Sequence, residues 1–380
     1  MPDPYPAASS ARDRFVVDRR GPREAHDPWR HQGVIVEDER AEDGSIARVA
    51  TIFLTGRECP WRCVMCDLWR YTIEQDTPVG AIPAQIAAAR RQMGDATVVK
   101  LYNAGSFFDP CAVPESDHDD IAAQLVGLER VIVESHPALI GARVDRFLDA
   151  LARAEVVRHR RPPPRTPSMA RLMRDVRGER ESGDCERSES AQSDRAPASA
   201  PSRLRLEVAM GLETAHPAAL ERLHKRITLE RFAQAAAELR RRDVALRVFL
   251  LISPPFIPAD EQDAWLLRSI EFAFECGASV VSLIPTRDGN GAMEALRDAG
   301  EFRMPALVDI ERSFSAALAH VRVRGSRGRR VFVDIWDLQR FADPAAGADD
   351  FAARRERLTA MNFEQRVAPD IARGRVEVVS

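Results

Sequence analysis

Lysine is nearly missing from this chain: among 55 basic residues, Lys100 and Lys225 are the only lysines. Arginine-biased composition accounts for the trend, yet a chain that otherwise avoids lysine keeps it where a point charge on a flexible stem is needed. Neither charge sign dominates, because 55 basic and 58 acidic residues leave a formal charge of −3, which gives no overall pull toward nucleic acid or a membrane surface. No apolar run approaches the roughly eighteen residues of a membrane helix. The start Met1-Pro2-Asp3-Pro4 is not the basic-then-apolar opening of a signal peptide. A cytoplasmic protein without membrane contact is expected. Cysteine is scarce, and six in 380 residues make no disulfide framework; clustered thiols in a reducing compartment serve metals or catalysis. No internal repeat stands out.

What is present is a cluster. Cys59, Cys63 and Cys66 fall in Arg57-Glu58-Cys59-Pro60-Trp61-Arg62-Cys63-Val64-Met65-Cys66-Asp67-Leu68-Trp69, directly after the strand-like run Val49 to Thr55. Soft thiolates select zinc, copper(I) or an iron–sulfur cluster. Structural zinc is normally closed by a fourth ligand, often on a second arm, and Cys111, Cys185 and Cys276 are isolated. A four-iron cluster held by three cysteines keeps one iron open for a substrate or cofactor.

The loop resembles the signature of the radical S-adenosylmethionine (radical SAM) superfamily, whose cluster is held by C-x₃-C-x₂-C after the first barrel strand. The resemblance implies Cys59, Cys63 and Cys66 as ligands of a single [4Fe–4S] cluster, with S-adenosyl-L-methionine (SAM) chelating the open iron. Met65 stands where many members carry an aromatic residue near the adenine, and methionine is adaptable enough for that place. The implied reaction is one-electron cleavage of SAM to a 5′-deoxyadenosyl radical that abstracts hydrogen from a substrate. The cofactor carries that chemistry while the protein fixes geometry and excludes water. Electrons would come from a low-potential donor such as a flavodoxin or ferredoxin.

Strand-like runs at 47–55, 97–102, 130–134, 203–212, 244–252 and 279–285 alternate with helical stretches. They predict an α/β fold, a partial (β/α)6 TIM-like barrel. Residues 1–46 form an N-terminal extension, poorly ordered over 1–30, with an edge strand joined through the Asp43-Gly44 turn. Residues 47–300 form the barrel. A Ser/Arg/Glu/Pro-rich stretch at 158–203 reads as a disordered insertion with a short helix at 168–178, and 301–380 as a C-terminal α/β extension.

Ligands of such barrels bind at the C-terminal ends of the strands. Asn103, Gly105 and Ser106 follow the second strand, and the resemblance gives that loop the amino group of SAM. In strand 203–212, period-two alternation puts Glu207, Gly211 and Glu213 on a polar inner face with room for a ligand. The two carboxylates need partners such as Arg205, Lys100 or the SAM ammonium group. Glu134 ends the third strand beside His136. Thr286 and the turn to Gly291 end the sixth, suited to SAM or substrate. The expected catalytic residues are therefore Glu134, Glu207, Glu213 and Lys100. The expected cofactor-binding residues are Met65, Asn103, Gly105, Ser106, Gly211, Glu213 and Thr286. The turn His224-Lys225-Arg226 reads equally as a solvated turn or as part of the mouth.

The cysteine loop, Lys100 to Asp109, Gly211 to Thr214 and Phe332 to Asp337 together resemble bacterial relatives of the archaeosine synthase radical SAM subunit, in the elongator- and methylthiotransferase-like branch. That implies tRNA modification, to which the arginine run over 322–330 adds capacity for phosphate contacts. A small metabolite or peptide substrate is the alternative. A rival of another class is a non-catalytic zinc-binding protein.

Overall fold

The computed structural model describes residues 5–160, 204–323, 328–345 and 347–368. The expected insertion with its short helix, and the middle of the arginine run, lie outside the described residues. The elements are α1 (Ser9–Val17), β1 (Gly33–Arg40), β2 (Ile46–Phe53), α2 (Ala81–Arg90), β3 (Val98–Tyr102), α3 (His118–Leu125), β4 (Arg130–Glu134) and α4 (Ala142–Arg160). After the undescribed stretch come β5 (Arg205–Glu213), α5 (Pro217–Arg222), α6 (Leu229–Arg241), β6 (Ala245–Ile252), α7 (Gln262–Glu275), β7 (Val280–Pro285), α8 (Ala292–Asp298), α9 (Leu307–Val323), β8 (Arg330–Val333) and α10 (Ala348–Glu364).

The eight strands form one sheet in sequential order. β1 is antiparallel to β2, and each later pair is parallel, so the sheet curls into a half-barrel with helices outside. The outer faces of β5 and its neighbours, with Leu206, Val208, Met210 and Leu212, pack under the helices in the main core. The inner face is only thinly apolar: Val49, Val98, Ile132 and Ala209 form a small cluster. β8, which falls in the expected C-terminal extension, adds a seventh parallel strand to the sheet.

β8 ends the sheet, and an unpaired edge invites foreign strands. Here α10 covers it with side chains that imitate a strand. Asn362 accepts from Val333 N at 2.9 Å and donates to its carbonyl at 2.9 Å, and Gln365 does the same for Val331 at 2.8 and 2.9 Å. Arg330 Nη1 reaches the Arg40 carbonyl at 3.0 Å, tying the last strand to the first. Asn362→Ala orphans both buried backbone groups of Val333, so it should cost about 1–3 kcal/mol in urea unfolding.

Below the mouth the interior is filled by charge. Arg247, only 2% exposed, bridges Glu207 at 2.7 Å and Glu39 at 2.5 Å. Arg130 takes the other oxygen of Glu207 at 3.1 Å, and Lys100 sits 2.7 Å from Glu39. Burial alone would raise the Glu39 carboxyl, but Arg247 and Lys100 hold it well below the ordinary carboxylate range.

Residues 5–30 are not the loose extension that their polarity predicts. Tyr5, Phe15 and Val16 are buried against Val64, Leu223, Met293 and Leu296, and Tyr5 donates its hydroxyl to the Arg222 carbonyl at 2.7 Å. Three apolar side chains anchored on a prebuilt surface offset the ordering of a short segment that has no strong helical periodicity of its own.

Candidate active site

The cysteine loop leaves β2 at the C-terminal end of the first parallel strand and is held by backbone contacts from across the barrel. Val64 N donates to the Leu223 carbonyl at 3.0 Å. Asn290 Nδ2 donates to the carbonyls of Val64 at 2.8 Å and Cys66 at 3.2 Å, while its Oδ1 accepts from Met293 N at 2.8 Å. Arg287 pairs with Asp67 at 3.1 Å. The polar turn after β7, read from sequence as facing a ligand, thus positions the cysteine loop. Thr286 is likewise occupied, because its hydroxyl donates to the Ile252 carbonyl at 2.7 Å.

Burial pushes the thiols of Cys59, Cys63 and Cys66 up to about 12. The three feel one another and Lys225 as neighbouring charges. Burial favours the neutral thiols, and a coordinating metal centre would displace their protons. Among the described residues, no three His, Cys, Asp or Glu side chains are gathered tightly enough for a single metal ion. A cluster takes each thiolate on a separate iron, so its donors need not meet at one point.

Lys225 faces the sulfurs because of how its turn is built. His224 and Arg226 adopt left-handed backbone, with φ of 59° and 58°, and both point outward to Asp13 on α1, at 2.9 and 2.5 Å. Lys225 between them points inward and pairs with Glu213 at 2.6 Å. Burial would lower the Lys225 ammonium, but Glu213 and Cys63 outweigh it and raise its pKa. The pair also explains Gly211. A Cβ there would overlap Glu213 Oε1 and Lys225 Nζ, so the close approach expected at this glycine is made by the ion pair. Gly211→Ala should therefore lower stability by about 1–3 kcal/mol, read by thermal unfolding.

Glu134 closes the inner face of β4. Burial pushes its carboxyl up to about 8 against weaker pulls from Lys225 and the Asn103 N–H. A carboxyl raised in this way is suited to proton transfer. Beside it Asn103 is fully buried with neither amide atom bonded, while Gly105 lies against Cys59. Ser106 is used locally, accepting from His136 N at 2.9 Å. His136 stacks on Trp61 at 3.6 Å between centroids. Its Nε2 donates to the Lys225 carbonyl at 2.9 Å and its Nδ1 accepts from Ala138 N at 3.2 Å, so both ring nitrogens are spent. Met65 packs against the apolar cluster that holds Val64, Leu223 and Met293.

The structure therefore brings Glu134, Asn103, Gly105, Gly211 and Glu213 to the cysteine loop. It does not bring Glu207 or Lys100 there. Glu207 lies six residues before the end of β5, about 20 Å along a strand, and both residues are locked in the interior ion pairs. Arg205, offered as a partner for the carboxylates, is exposed at the start of β5; Arg130 and Arg247 take Glu207 instead. Lys225, ambiguous from its turn alone, is marked in the sequence by its rarity. Trp61, the stacking partner of His136, and Asp334, whose carboxyl burial raises to about 6 just after β8, have no such mark. Among the described residues no helix is long and apolar enough to cross a membrane.

No family model matches the sequence, and no curated protein does. Among solved structures, archaeal Methanocaldococcus infernus Elp3 with an N-terminal deletion is 11% identical over 71% of this chain and 54% of that chain, TM-score 0.40. The radical S-adenosylmethionine methyltransferase TsrM from Kitasatospora setae, with cobalamin and a [4Fe–4S] cluster bound, is 13% identical over 64% and 39%, TM-score 0.35. Methylornithine synthase (PylB) is 11% identical over 83% and 82%, TM-score 0.43. This chain thus spans 54% of the Elp3 chain and 39% of TsrM.

Proposed function

We propose that this chain is a radical SAM enzyme that holds one [4Fe–4S] cluster through Cys59, Cys63 and Cys66. The observation that supports it is placement. Three thiols occupy one loop at the C-terminal end of the first parallel strand, where the loops of such a sheet gather ligands. When bound, the cluster with SAM supplies a 5′-deoxyadenosyl radical for hydrogen abstraction. The chain's own residues do the rest. Lys225, fixed by Glu213, offsets negative charge at the sulfurs. The unbonded amide of Asn103 offers a donor and an acceptor to a polar ligand such as the SAM amino acid moiety. Glu134, with its raised carboxyl, serves proton transfer to a substrate at the mouth, and the N-terminal segment helps exclude water.

A tRNA base is the substrate class proposed from the motif resemblance, with a small metabolite or peptide as the second reading. The electron donor is a flavodoxin or ferredoxin, and the compartment is the cytoplasm. The test is anaerobic reconstitution with iron and sulfide, reduction with dithionite in the presence of SAM, and chromatography for 5′-deoxyadenosine, followed by screening of tRNA against metabolite pools. Four-iron absorbance with SAM cleavage supports the reading. Colourless protein with about one zinc per chain and no cleavage leaves a metal-stabilised binding protein.

A further inference from the structure

Two stretches of backbone beside the cysteine loop are held against their own preference. His224 and Arg226 are left-handed, with φ of 59° and 58°, and so is Glu213, with φ of 70°, where the register between β5 and β6 shifts. None of the three is a glycine. Left-handed backbone at such residues persists only where surrounding contacts over-determine it, and it gathers at functional sites. Here it sets both ends of one ion pair, since Lys225, between His224 and Arg226, meets Glu213 at 2.6 Å.

The outer side of the Lys225 turn is held from α1. One oxygen of Asp13 accepts from His224 Nε2 at 2.9 Å, and the other accepts from Arg226 at 2.5 Å. Burial would raise the Asp13 carboxyl, but these two hydrogen bonds outweigh it and lower it. α1 is itself fastened just upstream of the turn. Arg12 Nη1 donates to the Glu221 carboxylate at 2.5 Å and to the Glu221 carbonyl at 3.1 Å, while Phe15 and Val16 join the buried cluster of Val64 and Leu223.

The inner side of the same turn meets the cysteine loop. Val64 N donates to the Leu223 carbonyl, and His136, stacked on Trp61, holds the Lys225 carbonyl at 2.9 Å. A return of His224 or Arg226 to ordinary helical backbone would rotate φ by roughly 120°. Such a rotation re-aims the side chain between them, and Lys225 would leave Glu213.

We propose that Asp13 is a positioning residue of the cysteine-loop site: by taking one donor from each side of Lys225, its carboxylate fixes the turn that aims this ammonium at Glu213 and the sulfurs. α1 then belongs to the site as well as to the fold. The role of Lys225 at the sulfurs rests on the function proposed above; its placement by Asp13 does not.

The test exploits the scarcity of lysine. The full chain, without iron, is treated with a limiting amount of acetic anhydride, and acetylation of Lys225 and Lys100 is followed by mass spectrometry of the peptides. These are the only lysines in the sequence, and both side chains are largely buried, 13% and 7% exposed. Lys100 is held by Glu39 in the interior network, so it reports general loosening, while the ratio of the two rates reports the turn. Asp13→Ala should speed Lys225 by about tenfold or more relative to Lys100. Asp13→Asn, of the same shape, keeps an acceptor for His224 but not for Arg226, and should speed it by about threefold or more. Asp145→Asn, which loses a pair with Arg242 instead, should keep the parent ratio. If Asp13→Ala fails to fold, Asp13→Asn decides. A parent-like ratio in the folded Asp13 variants, or equal acceleration of both lysines, overturns the proposal. Because the chain carries no iron here, failure to build a cluster leaves the result standing.

Discussion

Reconstituted with iron and sulfide, the Cys63→Ala chain is expected to yield no 5′-deoxyadenosine above background, while its thermal unfolding stays close to that of the parent. The two readouts separate because Cys63 contributes chemistry at small structural cost. Its loop is fixed by backbone carbonyls that accept from Asn290 and by Val64 N bonded to Leu223, none of which needs the sulfur. Loss of one thiol changes buried volume little, so a stability change of about 1 kcal/mol or less is expected. Three thiolates are the whole cysteine complement of the loop, and Cys111 and Cys276 stand elsewhere as free thiols. SAM cleavage that survived in Cys63→Ala would remove this residue from the ligand set. Absence of cleavage in both chains, with zinc bound, would favour the binding-protein alternative.

Arg247→Leu has the largest expected effect on stability, a loss of about 3–5 kcal/mol in denaturant unfolding at pH 7, because breaking a buried pair leaves charge uncompensated. Two carboxylates are affected at once, Glu207 at 2.7 Å and Glu39 at 2.5 Å. The pH dependence follows from the direction of the Glu39 shift. Its folded carboxyl lies below the unfolded value of roughly 4.3, so its stabilisation is fully present above that pH and is lost as pH falls through the folded pKa. Arg247 stabilises only the ionised carboxylates. The deficit of Arg247→Leu should therefore narrow as pH drops below about 5. A deficit that stays constant from pH 7 to pH 4 would mean that the lost packing of the arginine stem, not its charge, carries the effect.

Most of the architecture was legible in the residues. Six strand-like runs with intervening helices map onto β2 to β7, with ends shifted by one or two residues, because a half-barrel repeats one local rule: apolar strand, turn, amphipathic helix. The inner face of β5 was legible for the same reason, since Glu207, Ala209, Gly211 and Glu213 follow the two-residue period. What failed were the parts whose order comes from contact rather than pattern. Residues 5–30 look polar and aperiodic, yet Tyr5, Phe15 and Val16 are buried. β8 looks like an appended strand, yet its register with β7 and the amides of Asn362 and Gln365 make it the sheet's last member.

The candidate site divides in the same way. The three cysteines and their spacing, the polar inner face of β5 and the loop positions of Asn103, Gly105 and Ser106 were legible from the chain alone, because these depend on local order. Only the tertiary structure decided which charges meet. It sent Glu207 and Lys100 into a buried ion network away from the mouth and turned Lys225 toward Glu213 and the sulfurs through two left-handed residues held by Asp13. It also spent both nitrogens of His136 on backbone groups. Those choices turn on distances of a few ångströms between residues up to 213 positions apart, and pairing energy depends steeply on separation and burial. Composition and periodicity carry neither quantity.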